Sequence, residues 1–345
     1  MKYKTFIRTT ILLLLAALIM TAGIQIVLDP LFQYHTPLFG LKPVITDERY
    51  QNAGVAKNFS FDNAIIGNSM SQNFRISDVE DLFGGEVAKF TFSGSSFLDW
   101  SYILNIIKTR DKHLSNVLIN IDPIVMEADS KKLTHELPLY LYDNNVFNDI
   151  DYLLSFDMIK RFSLDMLREN DFDYNDVYAW DTVYKCGRKI VLDKYTRPEK
   201  TTNLPDMDSY LSNLTENLDM FSLYFNEMTD TKFVFFFSPF SMLYWDEKKQ
   251  CNELELQKRS YLLACDYLLS FSNVTVYLWT DDEMLNIMSD LDNYKDLTHY
   301  SGDISKLILK RIKGNTGVIS KDNYKSEIDV LFNYITNYEY DLLFE

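Results

Sequence analysis

Five short runs rich in β-branched and aromatic residues, at 64–66, 87–92, 117–121, 232–237 and 274–278, constrain the fold of this chain more than any other feature. Each is apolar almost throughout rather than alternating, as expected of strands buried on both faces. Between the second and third runs, Leu98, Tyr102, Ile103, Ile106 and Ile107 recur at helical spacing, and residues 253–270 show a second apolar face through Leu256, Leu263 and Tyr267. Continuous apolar strands alternating with amphipathic helices predict an α/β domain built on a five-stranded parallel sheet.

A plain crossover between parallel strands needs only a dozen or so residues. The third and fourth runs are separated by far more, so the stretch at about 127–230 reads as a large helical insertion. Within it, residues 171–200 are aromatic and charged and show no assignable pattern. Residues 29–60 hold Pro30, Pro37, Gly40 and Pro43 and read as an irregular connector. Residues 314–320 read as a loop, and the stretch 316–345 as a largely helical tail.

Residues 11–28 carry no charge and follow Lys2, Lys4 and Arg8. Eighteen helical residues span about 27 Å, enough for a bilayer core. The preceding basic flank predicts a cytoplasmic N-terminus, a single-pass anchor at 1–28 and an exported remainder. A cleaved signal peptide is the competing reading, although the apolar run is long for one.

The balance of 34 Lys and Arg against 50 Asp and Glu, with no basic stripe, argues against nucleic-acid binding. Cys186, Cys251 and Cys265 are too scattered for a disulfide framework or a zinc site. Cys251 and Cys265 are expected in one helical stretch about 21 Å apart, too far to bridge. With only His35, His113, His135 and His299 present, and no two of them close in sequence, a metal site has little to draw on.

The first strand run ends in Gly67-Asn68-Ser69, which puts a hydroxyl at the C-terminal edge of the sheet, where open α/β folds place their chemistry. A helix beginning near Ser69 would aim free N–H groups at an anion formed there. Ser93-Gly94 follows the second run, Asp122-Pro123 the third, and Asp296-Leu297-Thr298-His299 the fifth. In a parallel sheet all four fall at one edge. Together they supply a nucleophile (Ser69), a base (His299) with its orienting acid (Asp296), and a glycine N–H (Gly94) for an oxyanion. The Gly-x-Ser-x-Gly elbow of α/β-hydrolases is absent, because Ser71 occupies the place of its second glycine.

The order and content of these blocks resemble the SGNH, or GDSL-type, hydrolase superfamily across about residues 60–313. That resemblance implies a three-layer flavodoxin-like catalytic domain at 61–315, with Ser69, Asp296 and His299 as catalytic triad and Gly94, Asn68 and Asp122 as oxyanion or binding positions. The anchor and the segment 47–74 are similar to membrane-anchored bacterial members that modify cell-surface polysaccharides. By that resemblance the activity is an esterase or O-acyltransferase, with an acetyl group as the acyl unit and a polysaccharide or acylated glycan as substrate. A multi-pass membrane acyltransferase is the implied partner, and no metal or organic cofactor is implied. Two departures stand out. Asn68 replaces the usual Asp, and Asp122 stands where the third block normally supplies an Asn donor. An ionised Asp122 would repel an oxyanion, and Asn120 lies two residues early. A non-catalytic surface or assembly protein of the same fold is therefore the alternative expectation.

Overall fold

The computed structural model describes residues 2–110, 113–168 and 172–345, so Met1 and Asp171, at the ends of two stretches read above, lie outside them. The chain divides into two compact units, Met1–Ser60 with Leu137–Tyr174, and Phe61–Glu136 with Asn175–Glu345.

The second unit is α/β. Its strands are β1 (Asn63–Gly67), β2 (Val87–Thr91), β3 (Asn116–Ile121), β4 (Lys232–Phe237), β5 (Val274–Tyr277) and β6 (Val318–Ile319). They lie in the order β2-β1-β3-β4-β5-β6. The first five run parallel, as the apolar runs predicted, and every residue of β1 and β2 is buried. The sheet is mixed and six-stranded rather than purely parallel, because β6 pairs antiparallel with β5 through Val276 and Ile319. Val318 and Ile319 fall in the stretch 314–320 read as a loop. A two-residue strand leaves no periodicity to detect, and its entry depends on Gly317, whose φ of +83° suits a glycine and whose carbonyl accepts from Leu278 N–H at 2.8 Å.

Helices Phe97–Ile107, Met207–Glu227 and Leu254–Leu268 pack side by side, and Ile76–Phe83 packs against Gly302–Lys313. Met207–Glu227 is the crossover helix leading into β4, so the end of the expected insertion belongs to the sheet's own architecture. Cys251 caps the helix Met242–Gln250 while Cys265 lies in the next helix, a correction to the single stretch expected; all three cysteines are free thiols. The register pairs Gly67 with Thr91 and Ile121 with Phe237, which aligns the C-terminal ends of neighbouring strands. The loops that follow them therefore emerge at one edge.

In the first unit, the helix Lys2–Leu28 has a span, Tyr3–Leu28, long and apolar enough to cross a membrane. Ile11, Leu12, Leu13, Leu14 and Leu15 are all exposed along it, so no single face is turned to protein. Asp29 ends the helix with φ +39°, and its buried carboxylate accepts from the N–H groups of Gln33, Tyr34 and His35 and from Tyr152 Oη at 2.8 Å. The supposed irregular connector contains a helix, Glu48–Asn58, capped by Asp47, which accepts from the N–H groups of Arg49 and Tyr50. The Pro and Gly signals that argued against helix stop at Pro43, ahead of this cap.

His35 closes the helix end. Its Nε2 lies 2.7 Å from Ile26 O and its Nδ1 2.7 Å from Thr36 O. A neutral imidazole donates from one nitrogen only, so both contacts are satisfied only in the imidazolium. Burial opposes that charge, but the two carbonyls and the Asp29 carboxylate outweigh it and raise the His35 pKa. The stabilisation is complete below the unfolded value of about 6.5 and is lost as pH rises through the raised folded value. An NMR titration of the His35 ring is expected to give a midpoint above about 6.5, and a lower midpoint would contradict this double contact.

Candidate active site

At the end of β1, Gly67 stands where no side chain fits. A Cβ there would lie 2.1 Å from Asn120 Oδ1 and 2.6 Å from Ser71 Oγ. The missing side chain makes room for two polar groups beneath the loop rather than for a substrate. Ser69–Ser71 then forms a single 3₁₀ turn, and a regular helix begins only at Ile76.

That turn rests on a dry network of two amides and one carboxylate. Asn68 Oδ1 accepts from Met70 N–H at 2.9 Å and from Asn120 Nδ2 at 3.0 Å. Asn68 Nδ2 and Asn120 Nδ2 both donate to Asp122 Oδ2, at 2.9 and 2.8 Å. Asn120 Oδ1 accepts from Asn68 N–H at 3.1 Å and Ser71 Oγ at 2.8 Å. Asp122 Oδ1 caps the helix Pro123–Glu127 by accepting from Val125 N–H at 3.0 Å. Asp122 is fully buried, and that burial raises its pKa against the pull of these donors. It does not line the Ser69 cavity; its carboxylate is turned to Asn68, Asn120 and Val125 instead. Asn120 is likewise committed beneath the loop. The pairing also explains Asn68: an aspartate there would set a second carboxylate against Asp122 where water cannot screen it.

Ser69 Oγ lies 2.8 Å from His299 Nε2, and His299 Nδ1 lies 2.8 Å from both carboxylate oxygens of Asp296. With Asp296 accepting from Nδ1–H, Nε2 is left to accept from the serine hydroxyl. Asp296 Oδ1 also accepts from Thr298 N–H at 3.0 Å and His299 N–H at 2.9 Å. Burial alone would raise the Asp296 pKa, but the His299 ring and these N–H groups hold it well below the usual carboxylate range. The turn is fastened by the Tyr294–Tyr300 bridge, by Lys295 N–H to His299 O at 2.9 Å and by Ser241 Oγ to Leu297 O at 2.7 Å.

Gly94 has φ +67°, and a Cβ on it would lie 2.8 Å from the His135 ring. Among the described residues, the N–H groups of Ser69 and Gly94 have no acceptor. Both residues line a cavity of about 430 Å³ shared with Asn68, His299, His135, Trp180, Tyr184 and Lys295. Sequence reasoning missed four of these. Trp180 and Tyr184 come from the aromatic stretch that could not be placed; Trp180 Nε1–H donates to Ser69 O at 3.1 Å, and its ring stands edge-on to His299, with centroids 5.5 Å apart. Single aromatics in loops carry no spacing signal, and His135 and Lys295 lie outside any motif.

No family model matches the chain and no curated protein matches it. Among solved structures it is similar to "a putative platelet activating factor from Streptococcus pneumonia", at 10% identity over 84% of this chain and 91% of that one, with a TM-score of 0.35. A likeness at that level carries no argument about fold or function.

Replacing Asn68 by Asp is expected to destabilise the chain by roughly 3 kcal/mol at neutral pH. The like-charge pair raises one carboxylate pKa, so the deficit grows as pH rises above the unfolded value of about 4. Thermal melts at pH 5 and pH 8 should show that widening gap, and adding Asp122→Asn to the same chain should close it. A gap independent of pH would contradict the assignment.

Proposed function

We propose that this chain is an SGNH-type serine esterase or O-acyltransferase with a flavodoxin-like core. Its substrate is a cell-surface or exopolysaccharide glycan, and its acyl unit is acetyl. The observation that carries the reading is the unbroken chain of contacts from Ser69 Oγ to His299 Nε2 and from His299 Nδ1 to Asp296, each 2.8 Å. The strand order and the shared edge of the loops support it. The N-terminal helix supports a membrane-anchored, extracytoplasmic setting. A multi-pass membrane acyl donor remains the partner this reading implies.

In this mechanism Ser69 Oγ attacks the acyl carbonyl while His299 Nε2 takes its proton and Asp296 stabilises the resulting imidazolium. The N–H groups of Ser69 and Gly94 hold the tetrahedral oxyanion. Collapse breaks the ester bond, and the leaving alkoxide receives the proton from His299. An acceptor hydroxyl or water then gives its proton to His299 and attacks acyl-Ser69; the acyl–Oγ bond breaks and His299 returns that proton to Ser69 Oγ. With two backbone donors and no third from Asn120, the oxyanion site is sparer than a three-donor one; one donor is worth roughly 3 kcal/mol of barrier. This sparseness favours a transferase over a rapid hydrolase, and it is also what favours the second reading, a non-catalytic assembly protein.

Acyl-enzyme formation from an aryl acetate, followed as the burst of phenol released by the full chain in detergent, separates the two. Ser69→Ala and Asp296→Asn are each expected to lower the rate by roughly 10⁴-fold or more. A Ser69→Ala chain as fast as the parent would overturn the enzymatic reading. Acetate release that falls when a glycan acceptor is added would mark transfer rather than hydrolysis.

A further inference from the structure

Lys295 lines the Ser69 cavity. The Lys295 ammonium lies 4.3 Å from the centroid of the Trp180 ring and 4.8 Å from that of Tyr184. Among the described residues it forms no ion pair, and its sequence neighbour Asp296 is committed to His299. The other lysines buried at least as deeply place their N–H donors on oxygens, Lys57 on Gln33 Oε1 and the Leu141 and Asp143 carbonyls, Lys89 on the Gln72 and Val177 carbonyls and Lys248 on the Glu253 carboxylate, whereas Lys295 Nζ has no acceptor among the described residues. A half-buried ammonium whose donors are left without an acceptor in the cavity that holds Ser69 is a departure from that pattern, in a chain whose formal charge is -16.

Two aromatic faces can hold an ammonium in place, but they do not accept its three N–H donors as a carboxylate or phosphate would. Burial works against the charge and lowers the Lys295 pKa, a loss that an incoming anion would reverse. The backbone on which it stands is fixed by Lys295 N–H to His299 O, and the Trp180 and Tyr184 rings hold the ammonium itself. Trp180 and Tyr184 also present ring surface suited to the apolar face of a sugar.

We propose that Lys295 is a specificity-determining residue, and that the substrate of the Ser69 site is an acidic glycan bearing a carboxylate or phosphate beside its acylated hydroxyl. The inference rests on Ser69 as the nucleophile.

Its test is protection of the full chain, in detergent, against a fluorophosphonate that labels Ser69. D-glucuronate, D-glucose 6-phosphate and D-glucose are compared as protectants, with each chain scaled to its own unprotected rate. For the parent chain at low salt, at least one of the two anions is expected to protect at about tenfold lower concentration than glucose. That preference should shrink as salt is raised. Lys295→Met should erase it and Lys295→Arg should keep it. Protection by glucuronate alone assigns the anion as a carboxylate, and protection by the phosphate alone assigns a phosphate. Equal protection by all three sugars, or a preference that survives in Lys295→Met, overturns the inference and leaves the labelled serine, and the proposed function, standing. Should the Met variant fail to label, the parent's preference, its salt dependence and its retention in Lys295→Arg decide the matter. A parent chain with no label on Ser69 overturns both.

Discussion

Asp122 is a buried carboxylate held by three polar donors: the amides of Asn68 and Asn120 and the backbone N–H of Val125. Because no water reaches it, each of those donors must be held in place, and holding them fixes the backbone that carries Ser69. Asn120 in turn occupies the space left by the side chain Gly67 lacks, and it binds Ser71 and Asn68. The serine is therefore positioned by β3 as well as by β1. Packing apolar side chains alone would not orient a hydroxyl to hydrogen-bond accuracy; a saturated polar network can.

The other half of the site is built by a different device. Asp296 accepts from two N–H groups of its own turn and from the His299 ring, so the turn's geometry and the histidine's tautomer are set by the same carboxylate. The two halves meet in the hydrogen bond between Ser69 and His299, which lie 230 residues apart in the chain. The surrounding cavity adds Trp180, which ties down the Ser69 carbonyl, and the cation Lys295. In an acidic chain these give the site a chemical character unlike that of the remaining surface.

Much of the second unit was legible in the sequence because its signals are local and repeated. The runs that became β1 to β5 are apolar throughout, and Ser69, Asp296 and His299 sit in short motifs tied to strand ends. What escaped had no local signature. The strand β6 is two residues long. The helix Glu48–Asn58 was obscured by prolines that precede it. Asp122 was assigned its place by its position in a block, whereas its contacts are set by residues 68 and 120, which only the β1–β3 register brings together. Trp180 and Lys295 join the site through tertiary contacts, which no spacing rule encodes.

The central claim is that Ser69 and Gly94 form an oxyanion site facing a serine activated by His299. A crystal structure of the chain after reaction with a fluorophosphonate tests it most directly. The phosphonyl group should be bonded to Ser69 Oγ, with its free oxygen about 3 Å from both the Ser69 and Gly94 nitrogens. An adduct on another serine, or a phosphonyl oxygen turned away from those two N–H groups, would contradict it.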